Sequence, residues 1–165
     1  MAITLTPQKL TRESFAPYGD VIESSGDRTA EMNADRFERF DDLCSLDMAG
    51  DGRPAVSITR CSVATSLPYS LDVVERHPLG SQAFIPLAPS LMIIVVAPAG
   101  ETVSVRDLQA FVTNGRQGIN YHRGTWHMPL IAFEEGQEFL IIDRASDQPN
   151  CEERSLDEAV TLVEG

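Results

Sequence analysis

The feature that most constrains the fold is a series of short segments rich in β-branched residues, separated by turn residues at regular intervals. Turn signals such as Asn114-Gly115 and Glu135-Gly136 divide the chain between residues 55 and 143. Short strands at this spacing are typical of an all-β sandwich or barrel and argue against alternating βαβ units. The predicted strands are residues 55–65, 69–77, 82–87, 91–96, 111–113, 126–133 and 138–143.

The ends of the chain predict smaller elements. Residues 2–6 fit a short strand, and Thr11 is a candidate N-cap for one or two helical turns that stop at Pro17. Residues 23–35 are polar and rich in turn residues, which predicts a surface loop that folds over another part of the chain. A capping-box pattern at Ser155 and Glu158 predicts a short terminal helix. We therefore predict one mainly β domain over residues 1–165, with short peripheral helices near both termini.

Charge and hydropathy exclude several classes of function. The net charge of −12 argues against nucleic acid as a partner, because phosphate binding needs a basic surface. The longest apolar run, residues 91–98, is too short to cross a bilayer, and the N-terminus lacks a signal-peptide pattern, so we expect a cytoplasmic protein without a membrane partner. The cysteines at 44, 61 and 151 are too widely spaced for a disulfide framework or a zinc site, which predicts reduced, partly buried thiols.

The candidate chemistry lies around two of the three histidines. Glu75 and His77 are two residues apart on a predicted strand, so their side chains share one face. Gln82 follows after a turn, and His127 begins a strand after the turn at Gly124. This spacing resembles the two motifs of the cupins, and the resemblance implies a cupin-like β-barrel or jelly roll with these residues at its mouth.

The residues leave two kinds of site open. Glu75, His77, Gln82 and His127 offer two imidazoles, a carboxylate and an amide oxygen, which can hold a divalent transition metal. The same side chains can form a metal-free acid–base site. Glutamine occupies the place where the cupin motif has glutamate, and this difference weakens the comparison with other metal-dependent cupins.

Longer blocks resemble a narrower family, the bacterial ureidoglycolate lyases. These blocks are Tyr18-Gly19-Asp20-Val21-Ile22-Glu23, Glu75-Arg76-His77-Pro78-Leu79-Gly80, Gln82-Ala83-Phe84-Ile85-Pro86, Thr113-Asn114-Gly115, Gly118-Ile119-Asn120-Tyr121-His122-Arg123, Trp126-His127 and Ile142-Asp143-Arg144. They run in order across nearly the whole chain. The resemblance implies a cytosolic homodimer that splits (S)-ureidoglycolate into glyoxylate and urea in allantoin and purine breakdown. The resemblance leaves open whether a metal is used, and it makes nickel the first candidate if one is.

This reaction requires a base, an acid and a cation for the substrate's carboxylate. Either histidine fits the base at neutral pH, and we favour His127 over His77. Glu75 fits the acid if burial raises its pKa. The candidate residues for binding the substrate are Arg60, Arg123, Arg144, Asn120, Tyr121 and Gln82. We expect Trp126 to belong to the core and His122 to face away from Tyr121.

Two other functions compete with the lyase. One is a different metal-dependent cupin enzyme, such as a small dioxygenase or isomerase. The other is a non-catalytic cupin module that binds a small acid without turnover. Glu75, His77 and His127 together favour an active enzyme over a binding module.

Overall fold

The structure, a computed structural model, describes residues 3–165 and consists almost wholly of β-strands. Its strands are β1 (Ile3–Leu5), β2 (Gln8–Lys9), β3 (Gly19–Ile22), β4 (Ala30–Met32), β5 (Phe37–Arg39), β6 (Arg53–Arg60), β7 (Tyr69–Arg76), β8 (Gln82–Pro86), β9 (Met92–Ala97), β10 (Gln109–Val112), β11 (Gly118–Tyr121), β12 (Trp126–His127), β13 (Ile131–Ala132), β14 (Glu138–Ala145) and β15 (Glu152–Leu162). One short helix, α1 (Arg12–Phe15), and one 3₁₀ turn, Val105–Asp107, complete the described elements.

Two sheets form the barrel. The large sheet has the strand order β1-β15-β7-β12-β9-β10-β2, and β13 also pairs with β9. The small sheet has the order β3-β11-β8-β14-β6. The site described below lies between the two sheets. It is formed where β7 pairs with β12 in the large sheet and where β8 pairs with β14 in the small sheet.

The core follows from strand alternation. Every residue of β9 is buried, and its side chains alternate between two apolar clusters. Ile94 and Val96 point between the two sheets and pack with Phe111 and Phe139, whereas Val95 points to the other cluster with Trp126. A continuous apolar run such as β9 is what a strand buried on both faces requires.

The N-terminal helix is confirmed. Thr11 has an extended backbone, and its side chain accepts a hydrogen bond from the Ser14 backbone N–H. The Ser14 side chain in turn accepts a hydrogen bond from the Thr11 backbone N–H, which completes a capping box. The helix ends before Pro17, and Phe15 is fully buried against the inner cluster. The predicted strand at residues 2–6 corresponds to β1, with Ala2 outside the described residues.

The predicted C-terminal helix is wrong, because residues 152–162 form the long strand β15. This strand pairs with β7 on both sides of a register shift between Ser155 and Val160, and β1 pairs with its other edge. An isolated helix of two turns is marginal in water. Ladder hydrogen bonds on both edges and burial of Val160 and Leu162 therefore outweigh the local capping signal.

Other predictions needed smaller changes. The predicted strand 126–133 is two short strands, and residues 118–121 form an additional strand, β11. The loop 23–35 contains β4, which pairs with β5 in an exposed hairpin that forms a sheet of its own. The cysteines are free, with Cys44 and Cys61 half-buried, but Cys151 is exposed rather than partly buried. Within residues 3–165, no helix is long and apolar enough to span a membrane.

Candidate active site

Glu75 and His127 come together from neighbouring strands of the large sheet. The two residues are directly opposite each other in the register of β7 and β12, so both side chains point to the same face. That face is the one between the sheets, since His127 also lies opposite Val96 of the inner cluster. The His127 Nε2 atom lies 3.4 Å from Glu75 Oε1, and the His127 side chain is only 2% exposed.

The second half of the site comes from the end of β7 and from the small sheet. His77 follows β7 directly, and its Nε2 lies 3.9 Å from Glu75 Oε1 and 3.1 Å from Gln82 Oε1. Gln82 begins β8 opposite Asp143 of β14, and its Nε2 donates to Asp143 Oδ2 at 3.2 Å. The Asp143 carboxylate therefore turns the amide oxygen of Gln82 towards His77.

Backbone carbonyls fix the orientation of both imidazole rings. His77 Nδ1 lies 2.7 Å from the Asn150 carbonyl oxygen, and His127 Nδ1 lies 3.0 Å from the Thr125 carbonyl oxygen. A carbonyl can only accept, so each Nδ1 carries a hydrogen and each Nε2 faces the Glu75 carboxylate. His127 Nε2 is buried without a hydrogen-bond partner among the described residues, because 3.4 Å is too long for a well-formed bond.

Glu75 is the electrostatic centre of the cluster. The contact with His127 lowers the pKa of Glu75 below its ordinary value, against the opposing effect of burial, and His77 and Cys151 add to the lowering. The carboxylate is therefore ionised at neutral pH. The expectation that burial would raise this pKa, and so make Glu75 the acid, is not met, because the neighbouring imidazoles outweigh desolvation.

Tyr121 closes the inner wall of the site. Its ring stacks on His127 with centroids 4.1 Å apart and an interplanar angle of 13°. Burial raises the pKa of the Tyr121 hydroxyl, and the Glu75 charge adds to this shift, so the hydroxyl is neutral at physiological pH. A neutral phenol beside the carboxylate can donate a hydrogen bond to a bound molecule.

The donor set fits a divalent transition metal. The ligand atoms of Glu75, His77 and His127 lie within 4.8 Å of one another, and both histidines direct Nε2, the nitrogen that no carbonyl holds, towards the cluster. The orphaned Nε2 of His127 supports this interpretation. Gln82 Oε1, which also faces His77, supplies a fourth donor atom, the amide oxygen that the cupin comparison predicted.

The structure separates the remaining candidates. Asn120 points to the opposite face of β11, where Asp20 and a backbone carbonyl occupy its amide N–H groups. Arg144 is buried on the outer face and donates to the Ala49 carbonyl at 2.9 Å. Arg60 pairs with Glu138.

The distance of Arg60 from the site follows from its register. Arg60 lies opposite Glu138, which is five residues along β14 from Asp143, or about 16 Å at ~3.3 Å per residue. Arg123 lies nearer, because the next residue, Gly124, donates its backbone N–H to the His77 carbonyl at 3.0 Å. Arg123 itself is bound to Asp47.

Two residues behave as expected outside the site. Trp126 is fully buried in the core, where its Nε1 donates to the Gly100 carbonyl at 2.9 Å. His122 faces away from Tyr121 and contacts Asp20 Oδ1 at 3.1 Å.

Three site residues were missed by sequence reasoning. Asp143 orients Gln82, Asn150 contacts His77, and the Cys151 thiol donates to Glu75 Oε2 at 3.6 Å. The block Ile142-Asp143-Arg144 was a signal for Asp143, but its partner is distant in sequence. Asn150 and Cys151 precede the segment that the capping box at Ser155 predicted as a helix, and no local pattern pointed to them.

The barrel with its carboxylate–histidine cluster between two sheets defines a cupin-type enzyme.

A family model described as "Ureidoglycolate lyase" matches residues 2–163. The proteins named ureidoglycolate lyase from Burkholderia mallei (strain NCTC 10229) and Burkholderia cepacia are 46% and 48% identical. Their alignments cover 98% and 96% of this chain and 94% and 89% of those proteins. The protein of the same name from Pseudomonas fluorescens (strain Pf0-1) is 45% identical over 97% of this chain and 96% of its own length. The chain belongs to the ureidoglycolate lyase family.

Proposed function

We propose that this protein is a lyase that splits (S)-ureidoglycolate into glyoxylate and urea. The observation that carries the proposal is the convergence of His77 and His127 Nε2 on one oxygen of an ionised Glu75, on the face of the large sheet that is turned towards the small sheet. Membership of the family names the substrate. The geometry supplies groups that can take a proton from one atom and return a proton to another.

The two imidazoles suit different steps of the reaction. His127 Nε2 has no hydrogen-bond partner, so its lone pair is available to take the proton of the substrate's hydroxyl. The C–O bond becomes a carbonyl as the C–N bond breaks. His77 Nε2 faces the Gln82 amide oxygen, an acceptor that fits a protonated ring, so His77 can give a proton to the departing urea nitrogen.

Glu75 supports both imidazoles. An ionised carboxylate 3.4 Å from His127 stabilises the imidazolium that forms when His127 takes a proton. His77 loses one proton and His127 gains one, so the total number of protons on the two imidazoles is unchanged. Proton exchange with solvent then returns each histidine to its starting state. Buried proton transfers of this kind contribute about 10²–10⁴-fold each.

A metal would be held by Glu75, His77, His127 and Gln82. Such an ion would act as a Lewis acid that lowers the pKa of the substrate's hydroxyl. Nickel is our first candidate because the family resemblance points to it, and nitrogen and oxygen donors of this type suit it along with other divalent transition metals. The carbonyls behind the rings would keep the same orientation in either form.

We assign the substrate's carboxylate to Arg123 and its ureido group to Tyr121. The Arg123 backbone is tied to His77 through Gly124, and its guanidinium is 41% exposed, so it can reach an anion at the rim of the site. The neutral Tyr121 hydroxyl can donate to the ureido oxygen. We further propose that the protein is a homodimer, which its family resemblance supports. We also propose that it acts in the cytoplasm, where free cysteines such as those of this chain remain reduced.

The proposal is tested by product release from racemic ureidoglycolate. Metal-stripped protein is assayed for urea, glyoxylate and ammonia, and again after addition of nickel, manganese or zinc. Equal urea and glyoxylate without ammonia is the expected result. Activity without metal would support the acid–base route, whereas activity only with metal would support the Lewis-acid route. Absence of turnover under every condition would reject the lyase and favour a binding module.

A further inference from the structure

We propose that the dipeptide Asn150-Cys151 is the positioning element of this site, holding His77 through one residue and Glu75 through the other. The inference rests on the proposed lyase activity. It assigns a role to a segment that lies before β15, away from every motif that identified the family. Neither residue needs to touch substrate, because both act on side chains that do.

Asn150 makes two short contacts with the end of the His77 turn. Its backbone carbonyl accepts from His77 Nδ1 at 2.7 Å, and its side-chain Oδ1 accepts from the Leu79 backbone N–H at 2.7 Å. The first contact fixes which nitrogen of His77 faces Glu75. The second holds the turn that leads from β7 into β8, and therefore the spacing between His77 and Gln82.

Cys151 contacts the oxygen of Glu75 that the histidines leave free. Its thiol donates to Oε2 at 3.6 Å, while Oε1 faces His127 at 3.4 Å and His77 at 3.9 Å. A carboxylate oxygen accepts at this contact, so the thiol takes the role of donor. A protonated thiol is a donor, and this donor sets the rotation of the carboxylate.

The unpartnered His127 shows why this rotation matters. Its buried Nε2 is aimed at the same carboxylate, and its ring is fixed on the other side by Tyr121 and the Thr125 carbonyl. The imidazole cannot follow a carboxylate that turns away. The position of Oε1 relative to His127 therefore depends on what holds Oε2, which is the Cys151 thiol.

Exposure of Cys151 makes the inference testable with thiol reagents. Among the cysteines, Cys44 and Cys61 are half-buried, whereas Cys151 is exposed. Alkylation replaces the S–H donor with a bulky group against Glu75, so a maleimide should inactivate the enzyme. The Cys151→Ser variant keeps a donor and both other cysteines, which makes it the matched control.

The experiment compares Cys151→Ala, Cys151→Ser, Asn150→Ala and Asn150→Asp with the wild type. We expect Cys151→Ala, which removes the donor to Glu75, to lower kcat about tenfold with little change in KM. Asn150→Ala keeps the backbone carbonyl but removes the acceptor for the Leu79 N–H, so the turn that carries His77 loosens and a similar loss is expected. Cys151→Ser and Asn150→Asp retain a donor and an acceptor oxygen and should stay within about threefold of the wild type. Thermal unfolding midpoints separate loss of positioning from loss of folding.

Two results would overturn the inference. One is a Cys151→Ala enzyme as active as the wild type, and the other is equal inactivation of wild type and Cys151→Ser by N-ethylmaleimide.

The infrared S–H stretching band gives a readout that needs no activity. A hydrogen-bonded thiol band should disappear in Cys151→Ser and shift in Glu75→Gln. If the band changes in these two variants as expected but the wild type makes no urea, the lyase proposal fails, whereas the hydrogen bond from the Cys151 thiol to Glu75 is supported. If Asn150→Ala does not fold, the Cys151 pair still decides.

Discussion

The stretch from β11 to β12 carries two polar clusters on opposite faces, and they differ in the groups that each one brings together. On the inner face, Tyr121 stacks on His127, whose Nε2 has no hydrogen-bond partner. On the outer face, Asn120 donates to Asp20 at 3.0 Å and His122 contacts the same carboxylate at 3.1 Å. Side chains that differ by one position in sequence thus have different roles.

The outer cluster has a structural explanation. Asp20 also accepts from the Ser45 backbone N–H, and Asn120 donates to the Ser45 carbonyl at 3.1 Å. These bonds tie the segment before β6 across the outside of the small sheet. The outer side chains bond one another and the Ser45 backbone and so hold the fold, although Asn120 Oδ1 is buried without a hydrogen-bond partner among the described residues. The inner cluster differs because two imidazoles converge on one ionised carboxylate, which is the arrangement expected of a functional site.

The largest difference between the two faces should appear when their histidines are replaced. We expect His127→Ala to lower kcat by about 10³-fold, within the usual range for loss of a general base. The matched variant His122→Gln keeps a donor towards Asp20 and should stay within about twofold. Initial rates of glyoxylate release measure both. Similar losses in the two variants would mean that the faces do not divide chemistry from structure.

The arginines give the next largest effect. Arg123→Ala should raise KM about tenfold or more with a smaller change in kcat, because a charged hydrogen bond to an anion contributes roughly 1.5–3 kcal/mol. Arg60→Ala should leave KM nearly unchanged, since Arg60 pairs with Glu138 at the other end of β14. Steady-state kinetics over a range of substrate concentrations separate the two constants. The reverse pattern would move the carboxylate site to Arg60, one of the arginines proposed from the sequence.

A smaller effect is expected from the residue that orients Gln82. Asp143→Asn can donate as well as accept, so the Gln82 amide is free to rotate and present its N–H groups to His77. We expect kcat to fall about tenfold, with an unchanged unfolding midpoint. The double variant Gln82→Ala, Asp143→Asn should be no worse than Gln82→Ala alone. Additive losses would contradict an action of Asp143 through Gln82.

The smallest effect concerns stability at the outer cluster. Burial tends to raise the pKa of Asp20, but hydrogen bonds from Asn120, His122 and the Ser45 backbone lower it below its ordinary value. A folded-state pKa below the unfolded value gives stability that is present above the unfolded pKa of about 4 and is lost as the pH falls through the folded pKa.

Asp20→Asn should therefore lower the free energy of unfolding by roughly 1 kcal/mol at pH 7, a figure reduced for the partial exposure of the group. Urea unfolding at pH 7 and at progressively lower pH measures the difference from the wild type. The difference should shrink as the pH falls below about 4. A constant difference would show that Asp20 acts by packing rather than by charge.

Much of the fold was predictable because its signals are local. Alternating apolar residues and turn residues predicted the strands that became β6 to β9 and β14, and Thr11 predicted the start of α1. The C-terminal segment shows where such signals fail. Ser155 and Glu158 satisfy a helix-start pattern, but β15 gains pairing on both edges from β7 and β1, which no local window contains.

The same division applies to the site. Sequence by itself placed Glu75 and His77 on one face, since strand side chains alternate, and marked His127 as the second histidine after the Gly124 turn. Only the tertiary structure decided that Asp143 lies opposite Gln82 and that residues 150 and 151 contact His77 and Glu75. It also decided that Glu75 is ionised. A pKa depends on charges and burial supplied by distant strands, and those distances exist only once the sheets have paired.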